Sequence, residues 1–259
     1  PQFGVHYYRP VTIMSYQLDE WVAKTFWAES EREEARRVVY HASVVVYHAL
    51  VVALLTVFAV RLLQAGRSGP RGVVPVFAAA ATGALVFVTH PLHVESVAWM
   101  AGRTDVLCAL FVLGALLAFA WLKRGGGWPA LGVTLVCAFA AMLAKETGVV
   151  LVALIPAFDL AFSDRTGGAG EEPARLTRAE RRRQQRSRRQ SGRASRSGIP
   201  SGLRWAGLFV VTVVYFVLRQ DAVGGRQLTG MREPLQRLLG AVSWYAWKLV
   251  WPPPQSGFV

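Results

Sequence analysis

Seven apolar runs, at about 40–63, 73–89, 105–122, 128–144, 147–163, 203–218 and 236–252, constrain this chain more than any other feature. Runs of roughly 17–25 apolar residues suit the ~30 Å hydrocarbon core of a bilayer, and a soluble fold has no use for seven of them. The fold class they imply is all-α, a polytopic membrane bundle of about seven spans. More than half of the 259 residues are apolar, nine are tryptophan, and the formal charge is +13, which suits a membrane protein with basic loops.

One boundary follows from length alone. Only Lys145 and Glu146 separate 128–144 from 147–163, and one straight helix over both would run roughly 50 Å. The chain is therefore expected to turn at "AKETG", which brings both charges to one membrane face.

The loops test this arrangement. Arg61, Arg67, Arg71, Lys123 and Arg124 place the segments at 64–72 and 123–127 on the cytoplasmic side by the positive-inside rule. So does 164–202, with eleven arginines against Asp164, Glu171, Glu172 and Glu180, over half of the formal charge. Rich in Ser, Gly and Gln, that segment reads as a disordered loop facing anionic lipid headgroups rather than nucleic acid. By alternation, residues 1–39, the 90–104 loop, the 145–146 turn and 219–235 share the exoplasmic side. The chain thus divides into a first exoplasmic segment with an amphipathic helix (1–39), membrane helices (40–163), the basic loop (164–202) and further membrane helices (203–259). Trp99, Trp128, Trp205 and Trp251 fall near span ends, where indoles anchor at the interface. Cys108 and Cys137 lie in apolar runs and read as small hydrophobes.

Chemistry concentrates in "HPLHVESVAWMAGRTD", residues 90–105. Ionisable groups beside apolar spans line a cavity or pair with one another, which singles out Glu95, Arg103 and Asp105. The blander alternative has Arg103 neutralising Asp105 or Glu95 at a helix start. His90, His93 and Glu95 fall at i, i+3 and i+5, which neither matches a zinc signature nor shares one helix face, so hydrogen bonding to phosphate or hydroxyls is their better use. Lys145 and Glu146 read equally as a self-neutralising pair or as a lysine reaching an anionic lipid phosphate. Asp159 reads as a packing or interfacial residue. His41 and His48, seven apart, read as an inward-facing structural pair.

The stretches "YYRPVTIMSY", "YHASVVVYHALV", "HPLHVESVAWMAGRTDVLCALF", "AMLAKETGVVL" and "LLGAVSWYAWKLVWPPPQS" resemble, in this order, the membrane half of the transmembrane and tetratricopeptide-repeat proteins, bacterial relatives included. That family is similar to the GT-C glycosyltransferases, which move a sugar from a polyprenyl phosphate to Ser or Thr of proteins. The resemblance implies an inverting, mannosyl-type transfer to an acceptor protein, with the polyprenyl-phosphate sugar as donor, no tightly bound cofactor, and a divalent metal left open. It assigns Arg9, Arg103 and Lys145 to the donor phosphate. Tyr8, His90, His93 and Glu146 fall to substrate binding, and Glu95 and Asp105 to sugar hydroxyls or the acceptor. It puts the catalytic base in an acidic motif upstream of Pro1, making this a fragment, and distinguishes Asp19 and Glu20 from that motif. Val44 stands where relatives carry Asn. The arginine- and alanine-rich composition suits a bacterial inner membrane with the active face in the periplasm. Two other classes compete: a transporter or channel, which needs polar residues at mid-membrane, and a silent scaffold for a repeat domain.

Overall fold

A computed structural model describes residues 8–65, 73–163 and 199–223. The expected seventh run at 236–252, most of the basic loop and most of the 64–72 and 219–235 connections lie outside the described residues. Within them the chain forms α1 (Pro10–Phe26), α2 (Arg32–Ala65), α3 (Val73–Thr89), α4 (Leu92–Ala98), α5 (Arg103–Trp121), α6 (Gly127–Ala144), α7 (Leu151–Ser163) and α8 (Ser201–Val223). No strand occurs among the described residues.

Among the described residues three helical stretches are long and apolar enough to cross a membrane: Arg32–Gln64, Met100–Ala144 and Ser201–Ala222. Val74–Thr89 with Leu92–Ala98, bent by 67°, makes a fourth. The expectation of seven separate spans is thus met only in part. The run at 147–163 becomes a 3-10 turn (Glu146–Val150) and the 13-residue α7, about 20 Å of α-helix, short of the bilayer core on its own.

Helical structure persists over 45 residues from Met100 to Ala144, yet this is a hairpin and not a rod. Gly125 (φ 98°) and Gly127 (φ 58°) adopt left-handed backbone that side chains resist, and they reverse the chain. The pairing of its arms is antiparallel. Asp105 meets Lys145, Cys108 meets Thr147 at 3.8 Å, and a Cβ on Gly114 would sit 3.3 Å from the Cys137 sulfur. Small residues let the arms close: Ala115 and Ala118 on α5, Ala138 and Ala141 on α6, all buried. Packing of this kind holds helices together where lipid removes the hydrophobic drive. Phe119, Leu122, Leu131 and Leu151 complete the core.

α2 contains 34 residues, about 51 Å. It starts at Arg32 rather than near 40, so its charged first turns project beyond a ~30 Å core. Val44 is buried with Val51 and Val106, an apolar contact within the bundle. His41 is exposed while His48 packs on Phe87 and His93. They therefore do not form the inward pair expected, because α2 presents its first turns to the surroundings.

The expected turn at "AKETG" is present. Lys145 is extended (φ −156°, ψ 144°), and Gly148 lies so close to α6 that a Cβ there would be 2.5 Å from the Ala141 carbonyl carbon. By contrast, 90–104 is not an open loop. Pro91 precedes α4, proline being favoured at helix starts, and Met100–Gly102 closes as a 3-10 turn. The other end of the hairpin is tied by buried Asp159, which accepts from Lys123 at 2.5 Å and lies 3.8 Å from Arg204.

Candidate functional site

α1 is the element on which the site depends, and its sequence is amphipathic in an inverted sense. Thr12, Ser15, Asp19 and Ala23 are buried against the bundle, while Ile13, Met14, Leu18 and Trp21 face outward and are more than half exposed. The 3- and 4-residue spacing puts the small and polar set on one stripe. Each polar member finds a long-range partner. Thr12 donates to the Ala144 carbonyl at 3.0 Å, one of the last α6 carbonyls, which lacks a partner within its own helix. The Tyr16 hydroxyl donates to the Met100 carbonyl at 2.6 Å.

Asp19 makes the deepest contact. It is 3% exposed, forms an ion pair with Arg103, 0% exposed, at 2.6 Å, and accepts from the Ser43 hydroxyl at 2.8 Å. Arg103 also donates to the Tyr40 carbonyl (2.8 Å), Ser43 (2.7 Å) and, more weakly, Ser15 (3.4 Å), with its guanidinium 4.3 Å from the Tyr16 ring centre. A buried charge is tolerable only when paired and hydrogen-bonded in this way, and of the guanidinium nitrogens only Nε is left without a hydrogen bond. α1, α2 and α5 are thus joined at one ion pair. This corrects the assignment of Arg103 to a lipid phosphate: it has no exposed surface and its two terminal nitrogens are committed. It also corrects the alternative that Arg103 neutralises Asp105 or Glu95.

Asp105 instead pairs with Lys145, and Glu146 with Arg9 at 2.8 Å. The self-neutralising Lys145–Glu146 pair is therefore not formed. Extended backbone at Lys145 sends consecutive side chains to opposite sides, one to the start of α5 and one to the residue before α1. Unlike the Arg103 pair, these two are open: the side chains of Arg9, Glu146, Lys145 and Asp105 are 23, 21, 24 and 46% exposed. Tyr8, half-buried, lies next to Arg9.

The remaining sequence-derived candidates lie elsewhere. The His90 Nδ1 accepts from the Leu92 N–H at 3.3 Å, and His93 packs on Phe87 with ring centres 4.0 Å apart and on His48 at 5.8 Å. Glu95 is exposed on α4. Among the described residues no group of three or more His, Cys, Asp and Glu side chains is arranged to hold a metal ion. Asp19 and Ser43 escaped the sequence reading, although the polar stripe Thr12, Ser15, Asp19 in an otherwise apolar helix was the signal for them.

Burial opposes ionisation of Glu146. The hydrogen bond from Arg9, a bond from its own backbone N–H, and the charges of Arg9 and Arg219 outweigh that and hold its carboxyl below the usual 4.5. A depressed carboxyl contributes stability that is present above the unfolded value and lost as pH falls through the folded one. The melting difference between the parent chain and Glu146→Gln should therefore be constant near neutrality and shrink below about pH 4.5. A difference unchanged down to pH 3 would show that the Arg9 pair contributes nothing.

Sequence comparison finds several similar proteins. The chain is 30% identical over 167 residues to protein O-mannosyl-transferase TMTC4 of Mus musculus, covering 59% of this chain and 21% of the relative. The Homo sapiens protein of the same name is 31% identical over 166 residues, with the same coverage. Tmtc2 of Drosophila melanogaster is 37% identical over 91 residues, 33% of this chain and 10% of the relative. Its relatives are protein O-mannosyl-transferases. The chain spans about a fifth of the length of the TMTC4 relatives. No protein-family profile matches it. No solved structure matches it either. The described apolar helices are those of a multi-pass membrane protein.

Proposed function

We propose that this chain is the donor-binding part of a membrane glycosyltransferase that takes a mannose-like sugar from a polyprenyl phosphate on the exoplasmic face. The acceptor is a Ser or Thr hydroxyl of a protein. One observation carries the reading. Two open ion pairs, Arg9–Glu146 and Lys145–Asp105, are brought together by consecutive residues at one end of the α5–α6 hairpin. Pairs that reach the surface in this way contribute modestly to stability, and a phosphate can stand in for the carboxylate as partner of either cation. The names of the relatives support a glycosyl transfer.

In the reaction the acceptor oxygen attacks the anomeric carbon, the bond from that carbon to the phosphate oxygen breaks, and the phosphate leaves with the electron pair. The acceptor's proton passes to a carboxylate. Arg9 and Lys145 stabilise the phosphate as its charge grows, which is where fixed cations lower a barrier most. Glu95 and Asp105 are the carboxylates offered to sugar hydroxyls or acceptor. The outward apolar stripe of α1 lies on lipid, so that Arg9 sits at headgroup depth beside the donor's phosphate.

A photoreactive polyprenyl-phospho-mannose, activated in membranes containing the chain, tests this. Labelled peptides should include Tyr8–Pro10 or Lys145–Gly148, and Lys145→Gln should reduce their yield. Labelling confined to α3 and α4 would sink the reading.

A further inference from the structure

Arg9 and its partners occupy the start of α1, and a groove runs along the flank of the same helix. Tyr16, Gln17, Glu20 and Trp21 line it from α1 at three- and four-residue spacing, and Arg36 and Tyr40 face them from α2. Its volume is about 630 Å³, within the roughly 300–1,000 Å³ of small-molecule sites.

The floor of the groove is aromatic and fixed. The Tyr16 hydroxyl is held by the Met100 carbonyl, its ring backs onto the buried Arg103 guanidinium, and Tyr40 meets it edge-on at 5.8 Å. Trp21, 58% exposed, stands at the margin where the outward stripe of α1 meets the groove. The rim is polar. Glu20 accepts from Arg36 Nε at 2.7 Å and Nη2 at 2.9 Å, and pairs with Lys24 at 3.2 Å. A carboxylate offers about four lone-pair sites, so one remains for a further donor. Gln17 adds an amide that both gives and accepts. A floor and rim already locked in place need little ordering when a ligand arrives.

The charges of the groove cancel. Lys24 and Arg36 oppose Glu20 and Glu33, the second carboxylate on Arg36, and Asp19 cancels Arg103 beneath them. An anion would have to break the bidentate Glu20–Arg36 pair to gain a cation, and a cation would meet a carboxylate that is already paired twice. The ligand that fits is uncharged, with an apolar face for the rings and hydroxyls for the rim. A hexopyranose has both, C–H groups on its face and hydroxyls around its edge. Eleven residues of helix separate Glu20 from Arg9, about 16 Å, too far for one sugar to touch both. An extended polypeptide covers that distance in about five residues.

We propose that this groove is a subsite for a neutral hexose already carried by the acceptor polypeptide, about five residues from the hydroxyl to be glycosylated. The proposal rests on the glycosyltransferase reading above and adds a preference to it: a polypeptide bearing one sugar is held for the next transfer. Trp21 packs on the C–H face of the hexose, while Glu20 and Gln17 take its hydroxyls.

The test is fluorescence anisotropy with an uncharged fluorescent peptide carrying one O-mannosyl-threonine, and with the same peptide unmodified. Each is titrated with the chain in phosphatidylcholine nanodiscs free of sugar detergent. The parent should bind the glycopeptide at least tenfold more tightly. Trp21→Leu, which keeps an apolar side chain on the lipid-facing stripe, and Gln17→Ala should each cut that preference to threefold or less. Their melting temperatures and affinities for polyprenyl-phospho-mannose should match the parent's. Equal affinity of the parent for both peptides would overturn the subsite, and so would a preference that survives both substitutions. If the donor still binds in either case, the glycosyltransferase reading stands without the subsite. If the glycopeptide preference behaves as expected but the donor does not bind, the groove is a sugar site and the transferase reading fails. A folded parent that binds neither glycopeptide nor donor overturns both.

Discussion

Arg103→Met should be among the most damaging single substitutions in this chain. It leaves Asp19, 3% exposed, without its cation. Breaking one partner of a buried ion pair typically costs about 3–5 kcal/mol. Ser43 still donates to Asp19, so the penalty belongs at the lower end of that range. Asp19→Leu should be comparably damaging, because it strands a guanidinium among Tyr16, Tyr40 and Tyr47. The double variant, with both charges removed, should recover most of the loss. A cycle of these variants, unfolded reversibly in mixed micelles, measures the coupling directly. Additive losses would mean that α1 is not held by this pair.

Gly102→Ala should be the second large effect, and for a different reason. The backbone of Gly102 is ordinary (φ −68°), so no conformational preference demands glycine. Contact demands it: an added Cβ would lie 2.6 Å from the Ser96 Cα and 2.8 Å from the Ser96 carbonyl oxygen. These contacts are all backbone atoms of Glu95 and Ser96, so nothing can swing away and the turn must open against α4. Overpacking of this sort costs about 1–3 kcal/mol. It would also shift Met100, whose carbonyl holds Tyr16, and Arg103, the next residue. A melting-point comparison with Gly83→Ala supplies the control, because a Cβ at Gly83 meets nothing within 4 Å. That variant should be neutral or slightly stabilising. Equal effects at both positions would show that the close approach at Gly102 is immaterial.

Much of the site's location was legible in the sequence, and little of its wiring. The turn at Lys145–Glu146 followed from length against bilayer thickness, and the close approach of Gly148 to α6 confirms it. The gathering of Arg9, Asp105, Lys145 and Glu146 at one end followed from alternating spans. Which carboxylate serves which cation did not follow. Arg103 and Asp105 are two apart on a helix, and residues at that spacing face different ways. One therefore turns into the bundle toward Asp19, 84 positions earlier, and the other out toward Lys145, 40 positions later. Partners so distant in sequence are chosen by tertiary packing, which no local pattern encodes. Span counting failed for a related reason. Composition alone cannot distinguish a short 3-10 and α-helical segment such as 146–163 from a full crossing, nor foresee the 67° bend that joins α3 to α4.

In the proposed function, Arg9 and Lys145 exchange their carboxylates for a lipid-linked phosphate. The measurement that tests it most directly is equilibrium binding of a polyprenyl-phospho-mannose to the parent chain and to an Arg9→Gln, Lys145→Gln double variant. Each charge-assisted contact contributes roughly 1.5–3 kcal/mol, so the double variant should bind at least a hundredfold more weakly while still folding. Equal affinity in the two proteins would contradict the account.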